Sequence, residues 1–204
     1  MANYRGPRLK KVRRFGIPLS GLTRKSAQKR PYPPGQGAQN RRTKFSEFKK
    51  KLYEKQKLRY NYGVSEKQLR HLMVEAKKSH EPTGNVLLRL LEQRLDNVVF
   101  RLGLAPTIPA ARQLVAHGHI QVNGERVDIA SFRVKPGDVV AIREKSRGMD
   151  AVKGSVESPA LRLADYLSLD VTNLAGKMEA LPGREDISLE VDEQLVVEYY
   201  AQRM

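Results

Sequence analysis

Positive charge is concentrated in the first 60 residues of this 204-residue chain. These residues contain 19 Lys and Arg but only two acids, Glu47 and Glu54, which gives a net charge of +17. Residues 61–145 carry a net charge of +4 and residues 146–204 carry −5, so the first segment accounts for the whole excess of +16. Because like charges repel, such a segment becomes compact only beside a polyanion. The pattern predicts one segment that binds a polyanion and other parts that fold or bind proteins.

A nucleic acid is the polyanion that best suits this segment. An anionic membrane is the alternative, but it requires an amphipathic helix with a continuous apolar face. Residues 1–44 instead scatter their apolar residues among Pro and Gly. No apolar run nears the roughly 18 residues of a membrane span, and the amino terminus lacks the apolar stretch of a secretory signal. We therefore expect no membrane partner and a cytoplasmic protein.

Residues that carry catalysis or bind metals are sparse. The absence of Cys excludes a disulfide framework, a thiolate metal site and a Cys nucleophile. His117 and His119 flank Gly118 at a predicted turn, and no suitable third zinc ligand is near them in sequence. Neither a Gly-x-Ser-x-Gly elbow nor a phosphate-binding glycine loop occurs, although a dispersed Ser/His/Asp arrangement leaves no such signature. We predict a binding protein with no catalytic residues, no metal and no cofactor.

Glycine and proline divide the first 44 residues, the basic arm, into short pieces. Their recurrence up to the cluster at residues 30–37 prevents a long helix or a continuous strand. With few apolar side chains to bury, the arm cannot offset the entropy lost on ordering. We expect it to be largely disordered alone and to become ordered against its nucleic-acid partner. The rings of Tyr4, Phe15 and Tyr32 would either stack on bases or pack against the rest of the chain.

Helical periodicity begins at Phe45, where apolar residues recur at i, i+3 and i+7 and lysines crowd the other faces. A second helix follows the Ser-x-x-Gln capping box that starts at Ser65. A third pattern covers residues 83–103, and its length predicts a bend or a domain junction within residues 92–96. We also favour a helix over residues 192–203.

Shorter elements lie between these helical regions. A helix over residues 110–116 is predicted to stop at Gly118. Asn123-Gly124 supplies the positive φ angles of a two-residue hairpin turn between two short strands. A further strand is predicted over residues 138–142. The sequence thus predicts an α+β fold, in which a helical domain with a largely irregular basic arm accompanies an α/β domain of helices and short antiparallel strands.

Two groups of residues are predicted to bind RNA. The first group would contact phosphates from the arm and the first helix, and comprises Arg5, Arg8, Lys10, Lys11, Arg13, Arg14, Lys49, Lys50, Lys55, Lys57 and Arg59. The second would contact backbone, sugars or unstacked bases, and comprises Arg94, Arg101, Arg112, Gln113, His117, His119, Asn123 and Gly124. Arg112 is expected to face outwards because it lies opposite Leu114 and Val115 on its helix. The alternative is a capped helix and hairpin with ordinary surface charge.

Several stretches of the chain resemble one known family. Residues 91–147 resemble the RNA-binding module named after small-subunit ribosomal protein S-four, a module also found in pseudouridine synthases, some tRNA synthetases and heat-shock RNA binders. YRGPRLKKVRRFG, EKQKLRYNYGVSEKQLRHLM, TGNVLLRLLEQRLDNVVFRLG and EQLVVEYYAQR resemble that ribosomal protein family itself. The resemblance covers nearly all 204 residues. The arm is most similar to cyanobacterial and plastid members, so a plastid stroma is the other location to expect.

This resemblance implies a structural constituent of the small ribosomal subunit. Family members bind the 5′ domain of the small-subunit rRNA, nucleate assembly, contact ribosomal protein five, influence decoding accuracy and line the channel through which mRNA enters. The resemblance also implies a basic arm over residues 1–44 and a helical domain over residues 45–92, completed by about 190–204. An inserted domain over residues 93–189 would contain the RNA-binding module, at about 93–150.

The acidic carboxyl-terminal third has a different expected partner. Its net charge of −5 makes a poor RNA surface. We therefore expect Glu185, Asp186, Asp192 and Glu193 to contact ribosomal protein five, and we expect no obligate homo-oligomer. Some bacterial family members hold a metal in the arm through cysteines. This chain has none, so RNA is expected to order its arm.

Two other functions compete with this interpretation. An rRNA modification or assembly factor would use the module to dock an enzyme, and would need a separate catalytic domain of about 150 residues or more. The 59 residues after residue 145 show no catalytic pattern. A DNA-binding protein would need a recognition helix with base-reading polar residues. The basic helix near residues 45–60 is dominated by Lys instead, which suits phosphate contacts.

Overall fold

The computed structural model describes residues 4–35 and 46–203. The chain divides into two compact units, the first made of residues 1–87 and 188–204 and the second of residues 88–187. Over the described residues, the first unit is helical, whereas the second combines helices with an antiparallel sheet. This arrangement confirms the α+β fold class.

Capped helices build the first unit. It contains α1 (Arg8–Phe15), α2 (Glu47–Asn61), α3 (Glu66–Ala76), the first half of α4 (Thr83–Glu92) and α8 (Glu193–Ala201). Ser65 and Gln68 form the predicted capping box at α3. The Asp192 side chain accepts hydrogen bonds from two backbone N–H groups of α8, whose presence confirms the predicted final helix. Phe45, where helical periodicity is predicted to begin, lies outside the described residues. Helix α2 begins at Glu47.

Residues 4–35 of the arm are more ordered than their composition predicts. They include α1, and they bury the side chains of Val12, Leu19 and Leu22 to 4% exposure or less. The Gly21 N–H donates to Asn61 Oδ1 at 3.0 Å, which ties the arm to the end of α2. The few aliphatic residues of the arm converge on one surface of the unit, which its composition does not predict. The ordering of the arm by RNA stays a prediction.

The second unit contains a small antiparallel sheet and short helices. Its elements are the second half of α4, α5 (Leu95–Arg101), α6 (Ile108–Ala116), β1 (Ile120–Val122), β2 (Glu125–Arg126), β3 (Val139–Ile142), α7 (Asp150–Glu157), β4 (Leu167–Asp170) and β5 (Ala175–Met178). The strand order is β2-β1-β3-β5-β4, and every neighbouring pair is antiparallel. A 3₁₀ turn, Glu144–Ser146, follows β3.

The predicted bend between α4 and α5 is confirmed. Arg94 adopts an extended conformation, with φ −66° and ψ 136°, and forms an isolated bridge with Arg133. The Leu95 N–H donates to the Phe132 carbonyl at 2.8 Å. The strand-like segment around residue 132 therefore satisfies backbone groups that the helix break leaves without helical partners.

The hairpin also forms as predicted. Asn123 and Gly124 have φ values of 51° and 86°, as a type I′ turn requires. Strand β3 confirms the strand predicted over residues 138–142. Strands β4 and β5 were not predicted, because Gly176 interrupts the short run Ala175–Met178 and a glycine within a strand ordinarily weakens it.

Candidate nucleic-acid interface

Helix α1 forms a basic surface on the first unit. Five of its eight residues are Lys or Arg, and the chain has no acid before Glu47. Lys10 and Arg14 are exposed, as is Arg5 just before the helix. Arg8 and Arg13 also serve the fold of the arm, because the Arg8 guanidinium donates to the Leu22 carbonyl. Arg13 donates to two backbone carbonyls and lies over the Tyr32 ring.

The aromatic residues of the arm pack rather than project into solvent. The Tyr4 ring meets Tyr60 edge-on at a centroid distance of 5.2 Å, and Phe15 meets Tyr53 edge-on at 5.5 Å. Lys11 Nζ lies 4.4 Å from the Tyr60 centroid, a cation–π distance. Of the two roles open to Tyr4 and Phe15, the structure thus shows packing against α2.

The predicted phosphate-binding residues of α2 fall into two sets. Lys50 and Lys57 pair with Glu47 and Glu54 one turn away, at 2.7 and 2.6 Å. Lys49 lies near the Tyr53 ring. The Lys50–Glu47 pair is exposed and contributes little stability, whereas both side chains of the Lys57–Glu54 pair are only 15% exposed. Lys49, Lys50 and Lys57 make up the first set. Arg59, which lies over the Tyr60 ring and donates to Gln56, belongs with them.

Lys55, one of the residues predicted to bind RNA, is buried and paired with an acid. Its side chain is 4% exposed, and its ammonium lies 2.7 Å from the Glu66 carboxylate. Burial alone would raise the pKa of Glu66, but hydrogen bonds from Lys55 and Tyr200 outweigh burial and lower it. Lys55 therefore stabilises the contact among α2, α3 and α8. Its place on the buried side of α2 could not be read from a helix this rich in Lys.

Two arginines of the second unit are likewise buried. Arg101 Nε donates to Glu92 Oε2 at 2.9 Å, and Arg94 Nη2 donates to Asp96 Oδ2 at 2.9 Å. Both arginines are 6% exposed or less. Tyr166 donates to the same Glu92 oxygen at 3.0 Å, and burial together with this carboxylate raises the pKa of Tyr166. Arg94 and Arg101, which were predicted to contact RNA, are buried and neutralise buried acids in this structure.

Arg112 was predicted to face outwards, but its guanidinium turns towards Asp96. Its Nη2 and Nε lie 2.5 and 3.0 Å from Asp96 Oδ2, and its side chain is 13% exposed. Asp96 is fully buried and binds two guanidinium groups. The predicted outward orientation of Arg112 is wrong. Helical periodicity locates its Cα, but it does not reveal an acid on the neighbouring helix α5 that binds the guanidinium.

The turn between α6 and β1 keeps most of its predicted residues accessible. Gln113 and His117 are exposed, and His119 is partly exposed, with Nδ1 2.9 Å from Ser146 Oγ. Asn123 and Gly124 are exposed at the hairpin turn. The Asn123 side chain donates to Asp138 and accepts from the Val139 N–H, both at 2.9 Å, so it fastens the hairpin to β3.

Two arginines at this turn were not predicted. Arg143 Nη1 donates to the Gly118 carbonyl at 3.2 Å, and the exposed Arg126 guanidinium lies against Gly118. Both follow from the sheet register, since β1 pairs with β2 and β3 and so brings the ends of those strands to one turn. The sequence signal was weak. Arg126 lies within the predicted hairpin strands, and Arg143 directly follows the strand predicted over residues 138–142.

The four acids predicted to bind a protein divide between the two units. Glu185 is exposed, whereas Asp186 accepts from the Gly183 N–H at 2.7 Å and its carbonyl accepts from Arg101. In the first unit, Asp192 caps α8 and the side chain of Glu193 lies against Gly84. Three of the four therefore have structural roles as well.

Known families match both parts of the chain. Residues 3–92 match the family described as "Ribosomal protein S4/S9 N-terminal domain", and residues 93–140 match "S4 domain". The chain is 53% identical over 204 residues to small ribosomal subunit protein uS4 of Trichodesmium erythraeum. It is 54% and 52% identical over 205 residues to the uS4 proteins of Microcystis aeruginosa and Methylobacillus flagellatus. Each of these matches covers 100% of both chains.

The chain belongs to the ribosomal protein uS4 family. The family and the resemblance to cyanobacterial members are thereby confirmed. The relatives are structural ribosomal proteins, so the family is not one of enzymes. Within residues 4–35 and 46–203, no helix is long and apolar enough to cross a membrane. In the same ranges, no three His, Asp or Glu side chains are grouped to hold a metal ion.

Proposed function

We propose that this protein is a structural constituent of the small ribosomal subunit and binds the 5′ domain of its rRNA directly and early in assembly. The observation that carries the proposal is the 52–54% identity, over the whole chain, to relatives named small ribosomal subunit protein uS4. The acid-free arm supports RNA as the direct ligand, because a segment with net positive charge and no acids attracts a polyanion.

Each unit supplies its own RNA-binding surface in this proposal. In the first unit, cations of the arm and α2 contact phosphates, namely Arg5, Lys10, Lys11, Arg14, Lys49, Lys50, Lys57 and Arg59. In the second unit, the α6–β1 turn and the hairpin contact backbone, sugars or unstacked bases through Gln113, His117, His119, Gly124, Arg126 and Arg143. Lys55, Arg94, Arg101 and Arg112 hold the scaffold instead, since each is bound to a carboxylate and its side chain is 13% exposed or less.

The domain organisation follows the same division. We propose that the helical domain, residues 45–92 with about 190–204, carries the basic arm and receives residues 93–189 as an inserted RNA-binding domain. The match of residues 93–140 to the S4 domain family supports the position of the module. Two surfaces in separate compact units let one chain hold two segments of a folded RNA.

We also propose that the chain contacts ribosomal protein five of the small subunit. Glu185 is the strongest of the predicted acids for this role, because it is exposed and the other three have structural roles. Effects on decoding accuracy, and a place beside the channel through which mRNA enters, would follow from that neighbourhood. They are supported by the family resemblance.

Reconstitution of small subunits tests the proposed function. Small-subunit rRNA is incubated with small-subunit proteins from which the uS4 member has been omitted, and this chain is then added. We expect the chain to co-sediment with complete particles and to restore proteins that are missing without it, most strongly when it is added first. Normal assembly in its absence, or failure to co-sediment, would refute the proposal.

A further inference from the structure

A concave site of about 540 Å³ lies against the basic arm of the first unit. Three cations, Lys10, Lys11 and Arg14, share its walls with the rings of Tyr4 and Tyr53 and with three prolines. We call it the arm pocket. Its volume lies within the roughly 300–1,000 Å³ of small-ligand sites. Tyrosine and proline rings beside concentrated positive charge suit a ligand that has both a planar ring and an anion.

The described residues of the first unit do not neutralise the charge in the arm pocket. Among the residues that the structure describes, no carboxylate forms an ion pair with Lys10, Lys11 or Arg14. The two acids of the neighbouring α2 are engaged elsewhere, Glu47 with Lys50 and Glu54 with Lys57. Three clustered cations without acids attract an anionic group strongly.

The aromatic walls are held in place before any ligand arrives. Tyr4 packs edge-on against Tyr60, and Tyr53 packs edge-on against Phe15, at centroid distances of 5.2 and 5.5 Å. Gly6 permits the position of Tyr4, because a Cβ at residue 6 would lie 2.6 Å from the Tyr4 hydroxyl oxygen. Rings fixed in this way bind a planar ligand without a further loss of side-chain entropy.

We propose that the arm pocket binds one unstacked nucleotide of an RNA chain. The base packs against the tyrosine and proline rings, and its phosphate lies between Lys10 and Arg14. This inference rests on the proposed function, because it takes RNA as the ligand of the arm. Paired bases in a continuous duplex are stacked on their neighbours, so the preferred RNA carries a bulge or a single-stranded base at this point.

Two hairpin RNAs that differ by one bulged nucleotide test the inference. The bulged position carries 2-aminopurine, whose fluorescence reports stacking. We expect the full chain to bind the bulged hairpin about tenfold more tightly, since a base stacked on an aromatic ring contributes roughly 1–3 kcal/mol, and to quench the fluorescence. Tyr4→Leu should remove the preference, whereas Tyr4→Phe, which keeps the ring, should retain it.

Charge is tested by a matched pair of variants. Lys10→Ala removes a cation of the arm pocket, and Lys25→Ala removes an exposed cation outside the pocket lining. We expect Lys10→Ala to weaken the bulged hairpin several-fold more than the unbulged one, and Lys25→Ala to weaken both equally. If circular dichroism shows that Tyr4→Leu does not fold, the comparison of Lys10→Ala with Lys25→Ala still tests whether the arm pocket binds the bulged nucleotide.

Two results would overturn the inference. Equal affinity for both hairpins, with equal losses in Lys10→Ala and Lys25→Ala, would make the arm pocket an ordinary phosphate surface. Saturable binding of 5′-AMP that Tyr4→Leu abolishes, without any bulge preference, would assign the pocket to a free nucleotide. Failure of the proposed function has a separate signature, because it appears as absence from reconstituted subunits and not in hairpins of unrelated sequence.

Discussion

The Arg101 guanidinium and the Glu92 carboxylate form an ion pair inside the second unit, with Nε 2.9 Å from Oε2 and both side chains at 5% exposure or less. Asn97 and Tyr166 also donate to Glu92, at 2.6 and 3.0 Å. A charge taken out of water is tolerated only when it is paired and hydrogen-bonded. The pair therefore fixes α4 and α5 around one acid rather than presenting an arginine to RNA.

Replacing Arg101 with Ala should lower the free energy of unfolding by about 3–5 kcal/mol, because it leaves Glu92 buried without its counter-charge. Urea denaturation followed by circular dichroism measures the change. Arg143→Ala is the control, since this guanidinium bonds a backbone carbonyl at the partly exposed turn. A loss below about 1 kcal/mol for Arg101→Ala, within the range of exposed pairs, would contradict the structural role.

The accessible cations should set the salt dependence of RNA binding. If roughly 8–10 phosphates are neutralised, log affinity should fall with log salt at a slope of about −6 to −9. Arg5→Ala with Lys10→Ala should make the slope less steep by about 2, near one unit for each lost contact. Lys55→Gln should leave the slope unchanged, because its ammonium is bound to Glu66. A slope altered equally by Lys55→Gln would return Lys55 to the RNA surface.

Asn123→Gly separates a structural role from RNA binding. Glycine keeps the positive φ of the turn but removes the hydrogen bonds to Asp138 and Val139. We expect a loss of stability of about 1–2 kcal/mol, from two net hydrogen bonds, with RNA affinity unchanged within about twofold. Thermal unfolding and an RNA titration of the folded variant measure the two quantities. A tenfold loss of RNA affinity at unchanged stability would assign Asn123 to the RNA interface.

Acid should weaken the cluster of Lys55, Glu66 and Tyr200. The hydrogen bonds from Lys55 and Tyr200 hold the pKa of Glu66 below its usual 4.5. A lowered carboxyl pKa contributes stability that is present above the unfolded-state value and is lost as pH falls through the folded-state value. Unfolding free energies measured between about pH 6 and pH 3 should therefore fall less steeply in Glu66→Gln than in the parent chain. Parallel curves would show that Glu66 is not linked to folding.

Contact with ribosomal protein five is tested by Glu185→Lys. Reversing this exposed charge should weaken pairwise binding to that protein about tenfold and leave RNA affinity unchanged or raised, because like charge at a complementary interface costs affinity. Glu157→Lys, an exposed acid at the end of α7, makes the same charge change elsewhere. Equal pairwise affinities for both variants would remove Glu185 from the interface.

Local patterns predicted the elements better than they predicted the partners of charged side chains. The capping box at Ser65 and the turn at Asn123-Gly124 depend on neighbours in sequence, and both formed. Lys55 and Arg112 depend on acids on other helices, Glu66 and Asp96. From sequence alone, a charged residue is expected at the surface, because its buried counter-charge is not visible. The predicted site therefore included cations that the fold buries.

The arm shows that composition also fails to predict which apolar residues are buried. Its composition predicts little burial, yet Val12, Leu19 and Leu22 are nearly fully buried. The Tyr4 and Phe15 rings found packing partners on α2, a possibility that the sequence left open beside stacking on bases. Arg126 and Arg143 were not predicted to lie at the α6–β1 turn, because only the strand register brings them to Gly118. Tertiary pairing, which composition does not encode, decided each of these positions.

A binding titration tests the central claim most directly. The purified chain is titrated with small-subunit rRNA, with its isolated 5′ domain and with tRNA, all at one near-physiological salt concentration. The account predicts similar, tight binding to the first two RNAs, at least about a hundredfold stronger than to tRNA, which is within the usual margin of specific over non-specific binding. Equal binding to all three RNAs would show that the charge of the arm acts without selectivity, and would contradict direct recognition of the 5′ domain.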